Sequence, residues 1–143
     1  MRGLIRLGCL LACLLSAACT QQPLRSDSLY GQLGGEPGIT RIVEGMLLRI
    51  AGDPRIVDHF QSVDIQRVRD KLIEKFCAEA GGPCVYTGDS MEESHKGLAL
   101  TPSDFNALVE NLQASMTAEA VPIPTQNRLL ARLAPMRGQV IDQ

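Results

Sequence analysis

Apolar side chains at Ile39, Ile42, Val43, Met46, Leu47 and Ile50 are separated mostly by steps of three and four, the spacing that collects them on one face of an α-helix. Gly52-Asp53-Pro54 stops the run, because glycine loosens a helix and proline cannot continue one. After a short segment through Ile56, Val57 and Phe60, Asp64 is placed to cap a helix whose inner face reads Ile65, Val68, Leu72 and Phe76 and which ends at Gly81-Gly82. Thr101-Pro102-Ser103-Asp104 combines a capping hydroxyl, a proline at the first helical position and an acid in the first turn, and is followed by Phe105, Leu108, Val109, Leu112 and Met116. Past Pro122 and Pro124, Thr125 is the expected cap of a last helix carrying Leu129, Leu130 and Leu133 and kinked at Pro135. No stretch sustains a two-residue alternation rich in β-branched residues, so the class is all-α.

A chain of 143 residues has room for one domain with a core that needs no structural metal. Its net charge of −2 excludes a strongly basic nucleic-acid binder. The first residues change the expected compartment. Arg2 and Arg6 precede the apolar run from Leu7 to Leu15, which ends in Ser16-Ala17-Ala18-Cys19, a secretory signal too short to span a bilayer as a mature helix. The context of Cys19 resembles a bacterial lipobox, with Leu15 one place further back than usual; Cys13 is the rival acceptor, and plain cleavage at the alanines is the alternative. The expected division is a signal peptide over 1–18, a polar tether over 19–28 and a helical domain over 29–143. The mature chain would then be lipid-anchored at the periplasmic face of a bacterial membrane. Thr20, in the place where an aspartate acts as a retention signal, favours the outer one.

The chain has two histidines, His59 and His95. His95 closes the decamer Tyr86-Thr87-Gly88-Asp89-Ser90-Met91-Glu92-Glu93-Ser94-His95 and shares a helix face with Met91 and Leu98. An imidazole on an apolar face is either a packed core residue or a ligand whose lone pair points into a site closed to water. Its flanks favour the second reading. Gly81-Gly82-Pro83, the pattern Tyr-x-Gly-x-x-Met-x-x-x-His, Leu29-Tyr30 and Gly34-Gly35 together resemble the group I truncated haemoglobins, from about Ser28 to the C-terminus. The resemblance implies a two-over-two helical sandwich around haem b, with His95 as the proximal iron ligand and Phe60 against the porphyrin. It also implies haem contacts from Leu47, Val68, Leu72, Phe76, Tyr86 and Met91, and places Lys71 where the family commonly pairs a haem propionate.

On the distal side the chain departs from that family. The position of its distal tyrosine falls at Leu47 and that of its distal glutamine at Leu72, while Val68 holds the gating position one turn earlier and Met46 replaces an aromatic. Lys75, where the family often has an aromatic, is turned towards the pocket by its spacing from Leu72 and Val68. Arg67, Lys71 and Lys75, spaced by four, also read as a solvated basic stripe, the reading taken for Arg67, while for Lys71 it stands level with the propionate contact; a lysine could bind iron only after desolvation lowers its pKa. His59 adjoins Phe60, so its side chain is expected to point away from the porphyrin. Cys77 and Cys84 flank the Gly81-Gly82 turn and could form a disulfide in an exported protein; a zinc pair would lack two further ligands.

These expectations converge on a haem protein that takes oxygen, nitric oxide or carbon monoxide at an open iron position. The enzymatic alternatives are a nitric oxide dioxygenase, a nitrite reductase or a peroxidase-like catalyst, with a reductase partner unassigned. Leucine at 47 and 72 supplies neither a donor to retain oxygen nor an acid–base pair for peroxide, which favours ligand binding. A globin-like interaction protein without haem is the remaining class.

Overall fold

The computed structural model describes residues 27–143; the expected signal segment, Cys19 and most of the tether lie outside the described residues. Helix α1 (Leu29–Gln32) is a single turn whose Gly31 N–H is accepted by the capping Ser28 hydroxyl. Gly34 and Gly35 then adopt φ of +88° and +64°, a left-handed turn that a β-carbon would strain. It launches α2 (Gly35–Ala51), four residues earlier than the apolar periodicity begins. The Tyr30 hydroxyl accepts the Glu36 N–H at 3.0 Å and so satisfies one of the unpaired donors of the first turn.

Helix α2 supplies the centre of the core. Ile39, Ile42, Val43 and Met46 are buried, as are Leu112 and Met116 of α5 (Pro102–Ala118) and Leu129 of α6 (Ile123–Leu133). A β-carbon at Gly45 would lie 2.6 Å from the Ser115 hydroxyl, so glycine there permits the close α2–α5 crossing in which Ser115 donates to the Ile42 carbonyl at 2.7 Å. At the end of α2, the Asp53 carboxylate accepts from Arg55 and from buried Asn111. Those bonds, Arg55 first, hold the Asp53 carboxyl well below the usual carboxylate range. The α2/α3 pair lies against the α5/α6 pair, and no strand occurs among the described residues.

Helix α3 (Ile65–Glu79) starts as expected, with the Asp64 carboxylate accepting the Arg67 N–H at 3.1 Å. Ile65, read as part of its inner face, is 49% exposed, because in the first turn it lies before the helix meets its neighbours. Thr101 and Asp104 form the reciprocal capping box at the start of α5. The cap expected at Thr125 is not there: α6 begins at Ile123 behind extended Pro122. Proline is compatible with the first helical turn, so Pro124 sits inside the helix and Thr125 is buried, donating its hydroxyl to Gln32 at 3.0 Å. At Pro135 the α-helix has already ended; Ala134–Gln139 is a tighter 3-10 turn rather than a kinked continuation.

Candidate functional site

Gly81, at φ +74°, breaks α3 and turns the chain back. Gly82 is held between the Tyr30 ring and the Cys77 sulfur, where a β-carbon would approach both within 2.5 and 2.7 Å. Cys77, at the end of α3, is joined to Cys84 by a disulfide with its α-carbons 5.8 Å apart. Tyr86 then donates its hydroxyl to the Asp89 carbonyl at 2.8 Å, and the Ser90 hydroxyl caps the short helix α4 (Met91–His95) by accepting the Glu93 N–H. The loop thus delivers a five-residue helix with no buried residue, held by its connections rather than by a core of its own. The C-terminal tail supports it from the other side, with the Gly97 N–H donated to the Gln143 carbonyl and the Asp142 N–H to the Leu100 carbonyl, each at 3.0 Å.

His95 ends α4 with its Nδ1 2.7 Å from the Met91 carbonyl. A carbonyl only accepts, so Nδ1 carries the proton and the lone pair is left on Nε2. This is the arrangement that orients an imidazole for a metal, since the bond at one ring nitrogen fixes the tautomer and aim of the other. His95 lines a cavity of about 480 Å³ between α3, α4, α5 and the C-terminal turn, a volume typical of cofactor sites. Its α3 wall is Val68, Lys71, Leu72, Lys75 and Phe76. Phe60, Tyr86 and Met91 also border it, together with Met46 from α2.

Leu47 is the exception among the expected contacts. It packs, half-buried, against the hydrophobic core and does not line the cavity; on a helix, adjacent Met46 and Leu47 are turned about a hundred degrees apart, and Met46 takes the inner place. His59 also departs from expectation. It lines the cavity together with Phe60, because Val57–Phe60 is a 3-10 turn in which neighbours diverge by about a third of a turn, not by the half turn of a strand. Its Nε2 lies 3.8 Å from Asp104, whose carboxyl is pulled below its usual range chiefly by Thr101.

The basic residues of α3 have separate partners. Lys71 donates to both oxygens of Glu74, at 2.8 and 2.9 Å, and to the Thr87 hydroxyl at 2.6 Å. With Thr87 N–H also on Glu74 at 3.0 Å, the Glu74 carboxyl is drawn down to about 2, first by Lys71 and then by Thr87. Lys75 pairs with Glu79 at 3.1 Å and lies 4.9 Å from the centre of the Tyr86 ring, a cation–π distance. Arg67 reaches Asp89 at 3.4 Å on an exposed edge. Arg67, Lys71, Tyr86 and Ser94 line a smaller polar lobe of about 250 Å³ that shares residues with the main cavity. Sequence reasoning missed the far wall. Leu133 at the end of α6 and Met136 and Val140 of the C-terminal segment close the cavity, and for the last two the signal was an apolar spacing that continues beyond Pro135.

A helical sandwich opened by an apolar cleft, with one imidazole aimed into it from a short helix, defines the globin class. The chain belongs to the bacterial-like globin family, whose model matches residues 28–142. It is 30% identical over 113 residues to the group 1 truncated hemoglobin GlbN of Mycolicibacterium paratuberculosis, covering 79% of this chain and 83% of that protein. The corresponding protein of Nostoc commune is 28% identical over 117 residues, covering 82% and 99%. The crystal structure of the truncated hemoglobin of Tetrahymena pyriformis in its Fe(III) form superposes with a TM-score of 0.79 at 26% identity, over 81% of this chain and 99% of that one. The family implies haem and a diatomic ligand, and the residues present fit that group: a free Nε2 at His95, an apolar cleft of suitable size and ammonium groups at its rim.

Proposed function

We propose that the protein binds haem b through His95 and takes a diatomic ligand, oxygen, nitric oxide or carbon monoxide, at the iron. The observation that carries this reading is the Nδ1–H bond to the Met91 carbonyl, which leaves the lone pair on Nε2 in a histidine that lines the cavity. When bound, haem would supply an iron that takes a small ligand. Phe60 and Phe76 offer flat apolar surface to the ring, while Met91 and the C-terminal turn exclude water beside His95. Lys71 and Arg67, in the polar lobe, and Lys75 and Arg137, in the main cavity, are cations that would be available to the haem carboxylates.

Val68 and Leu72 form the aliphatic part of the α3 wall, and neither donates a hydrogen bond to a polarised ligand. Retention of oxygen for dioxygenation is therefore poorly served, and reversible binding is the reading favoured over an enzyme. Absorption spectra of the purified protein reconstituted with haemin, in ferric, ferrous and carbon monoxide forms, test this function. Haem uptake with a carbon monoxide complex is expected, and an unaltered free-haemin spectrum would reject it.

The N-terminal sequence supports a second proposal, that the mature chain starts at lipidated Cys19 and carries the globin on a membrane facing the periplasm, the outer membrane by its Thr20. Cys19→Ser should move the protein out of the membrane fraction; an unmodified N-terminus in wild type by intact mass would refute it.

A further inference from the structure

Cys77 and Cys84 close a covalent ring around the turn that separates the two sides of the cleft. One end of the bridge adjoins Phe76, in the α3 wall. The other begins the loop that holds Tyr86 under Lys75, Thr87 on Glu74 and, beyond Ser90, the helix of His95. Its sulfurs are unequally accessible. Cys77 is wholly buried, at 0% exposure, whereas Cys84 is half-buried next to exposed Pro83 and to Val85, which is 75% exposed. A thiolate attacks a disulfide along the axis of the S–S bond, so the accessible sulfur receives it and the buried one leaves.

We infer that Cys84 is a thiol-exchange site and Cys77 its leaving sulfur, and that a dithiol reductant acting there loosens the hold on haem. The inference rests on the haem-binding reading for its consequence but not for its chemistry. The partner's thiolate attacks Cys84 Sγ; the Cys77–Cys84 bond breaks, and its electron pair leaves on Cys77 Sγ, which takes a proton. The partner's second thiol then attacks its own sulfur in the mixed disulfide, leaving the partner oxidised and Cys84 as a thiolate that takes the second proton. Once the bridge is open, the loop is tied to α3 by hydrogen bonds and by the Lys75–Tyr86 contact alone, among them the Gly82 N–H to the Cys77 carbonyl at 2.9 Å. The helix of His95 follows directly from that loop, so its aim is less constrained when the covalent tie is gone.

The test uses the full chain, natively folded, with oxidised glutathione as the disulfide probe, which a free thiolate attacks to form a mixed disulfide and release reduced glutathione, and peptide mapping to locate adducts. In Cys77→Ser, Cys84 should carry the glutathione adduct; in Cys84→Ser, Cys77 should stay unmodified until the protein is denatured. Modification of native Cys77 in preference to Cys84, or of neither, overturns the exchange site. On the haemin-loaded protein, dithiothreitol should speed haem transfer to an excess of apomyoglobin by about tenfold, and the Cys77→Ala/Cys84→Ala double variant should show that faster rate with or without reductant. If haem binds and reduction leaves the transfer rate unchanged, the coupling is wrong. If no haem binds at all, the functional reading fails while the adduct positions still decide the chemistry.

Discussion

The two halves of this molecule bury their side chains very differently. In the half built from α2, α5 and α6, Val43 and Met116 are completely excluded from solvent and Ile39, Ile42 and Leu129 nearly so, and Ser115 and Asn111 find partners across the helix contacts. In the half built from α3 and α4, a fifteen-residue helix buries only Phe76 and Cys77, and the five-residue helix after it buries nothing. Val68 and Leu72 of that half are not in its buried core but line the cavity. That half lines a cavity suited to a flat apolar group, and it is held by a disulfide and by charged clasps in place of packing.

The widest gap between the halves should appear on removing His95. His95→Ala should abolish stable haem retention, with added imidazole restoring it, while the helical content of the haem-free protein stays unchanged by circular dichroism; retention of the wild-type haem affinity would show that the ligand is elsewhere. Next in size are paired truncations. Met116→Ala in the closed half should cost about 2–5 kcal/mol of unfolding free energy. Leu72→Ala, whose side chain already faces the cavity, should cost less than about 1.5 kcal/mol in the haem-free protein, since little packing is lost beside an existing void. Equal losses by urea denaturation would erase the distinction between the halves.

A smaller effect tests the aliphatic wall. Leu72→Gln introduces a donor at a position that lines the cavity, and a hydrogen bond to a polarised ligand of about 1.5–3 kcal/mol corresponds to roughly tenfold to a hundredfold slower oxygen release. Leu47→Tyr, from a position outside the wall, should slow it less. If wild type already releases oxygen as slowly as Leu72→Gln in stopped-flow, a donor such as Lys75 must be acting. The smallest effect concerns the clasp at Glu74. Its carboxyl sits at about 2 when folded, below its ordinary 4.5, so its stabilisation is complete above pH 4.5 and is lost as pH falls towards 2. Glu74→Gln should therefore flatten the fall in urea midpoint across that window, and unchanged slopes would mean that the clasp contributes nothing.

What could be read from sequence follows the same division. Local chemistry sufficed for the start of α5, where Thr101, Pro102 and Asp104 all act within one turn, and for α3, capped by Asp64. His95 was legible because its whole decamer is local. Thr125 was misread because a hydroxyl three residues past a proline looks like a cap, although the tertiary partner Gln32 claims it. His59 was misread because the 3-10 geometry of its turn leaves no periodic trace in four residues. The wall supplied by Met136 and Val140 depends on where the tail returns after Pro135, a long-range outcome that the apolar spacing beyond Pro135 does not locate.

Because both histidines border the cavity, the identity of the iron ligand is the most direct question. Resonance Raman spectra of the ferrous haem protein, recorded for wild type, His59→Ala and His95→Ala, answer it through the iron–imidazole stretching mode. The mode should be present and unshifted in His59→Ala and absent in His95→Ala unless imidazole is added. A mode that survives in His95→Ala without imidazole, or vanishes in His59→Ala, would contradict the assignment of His95.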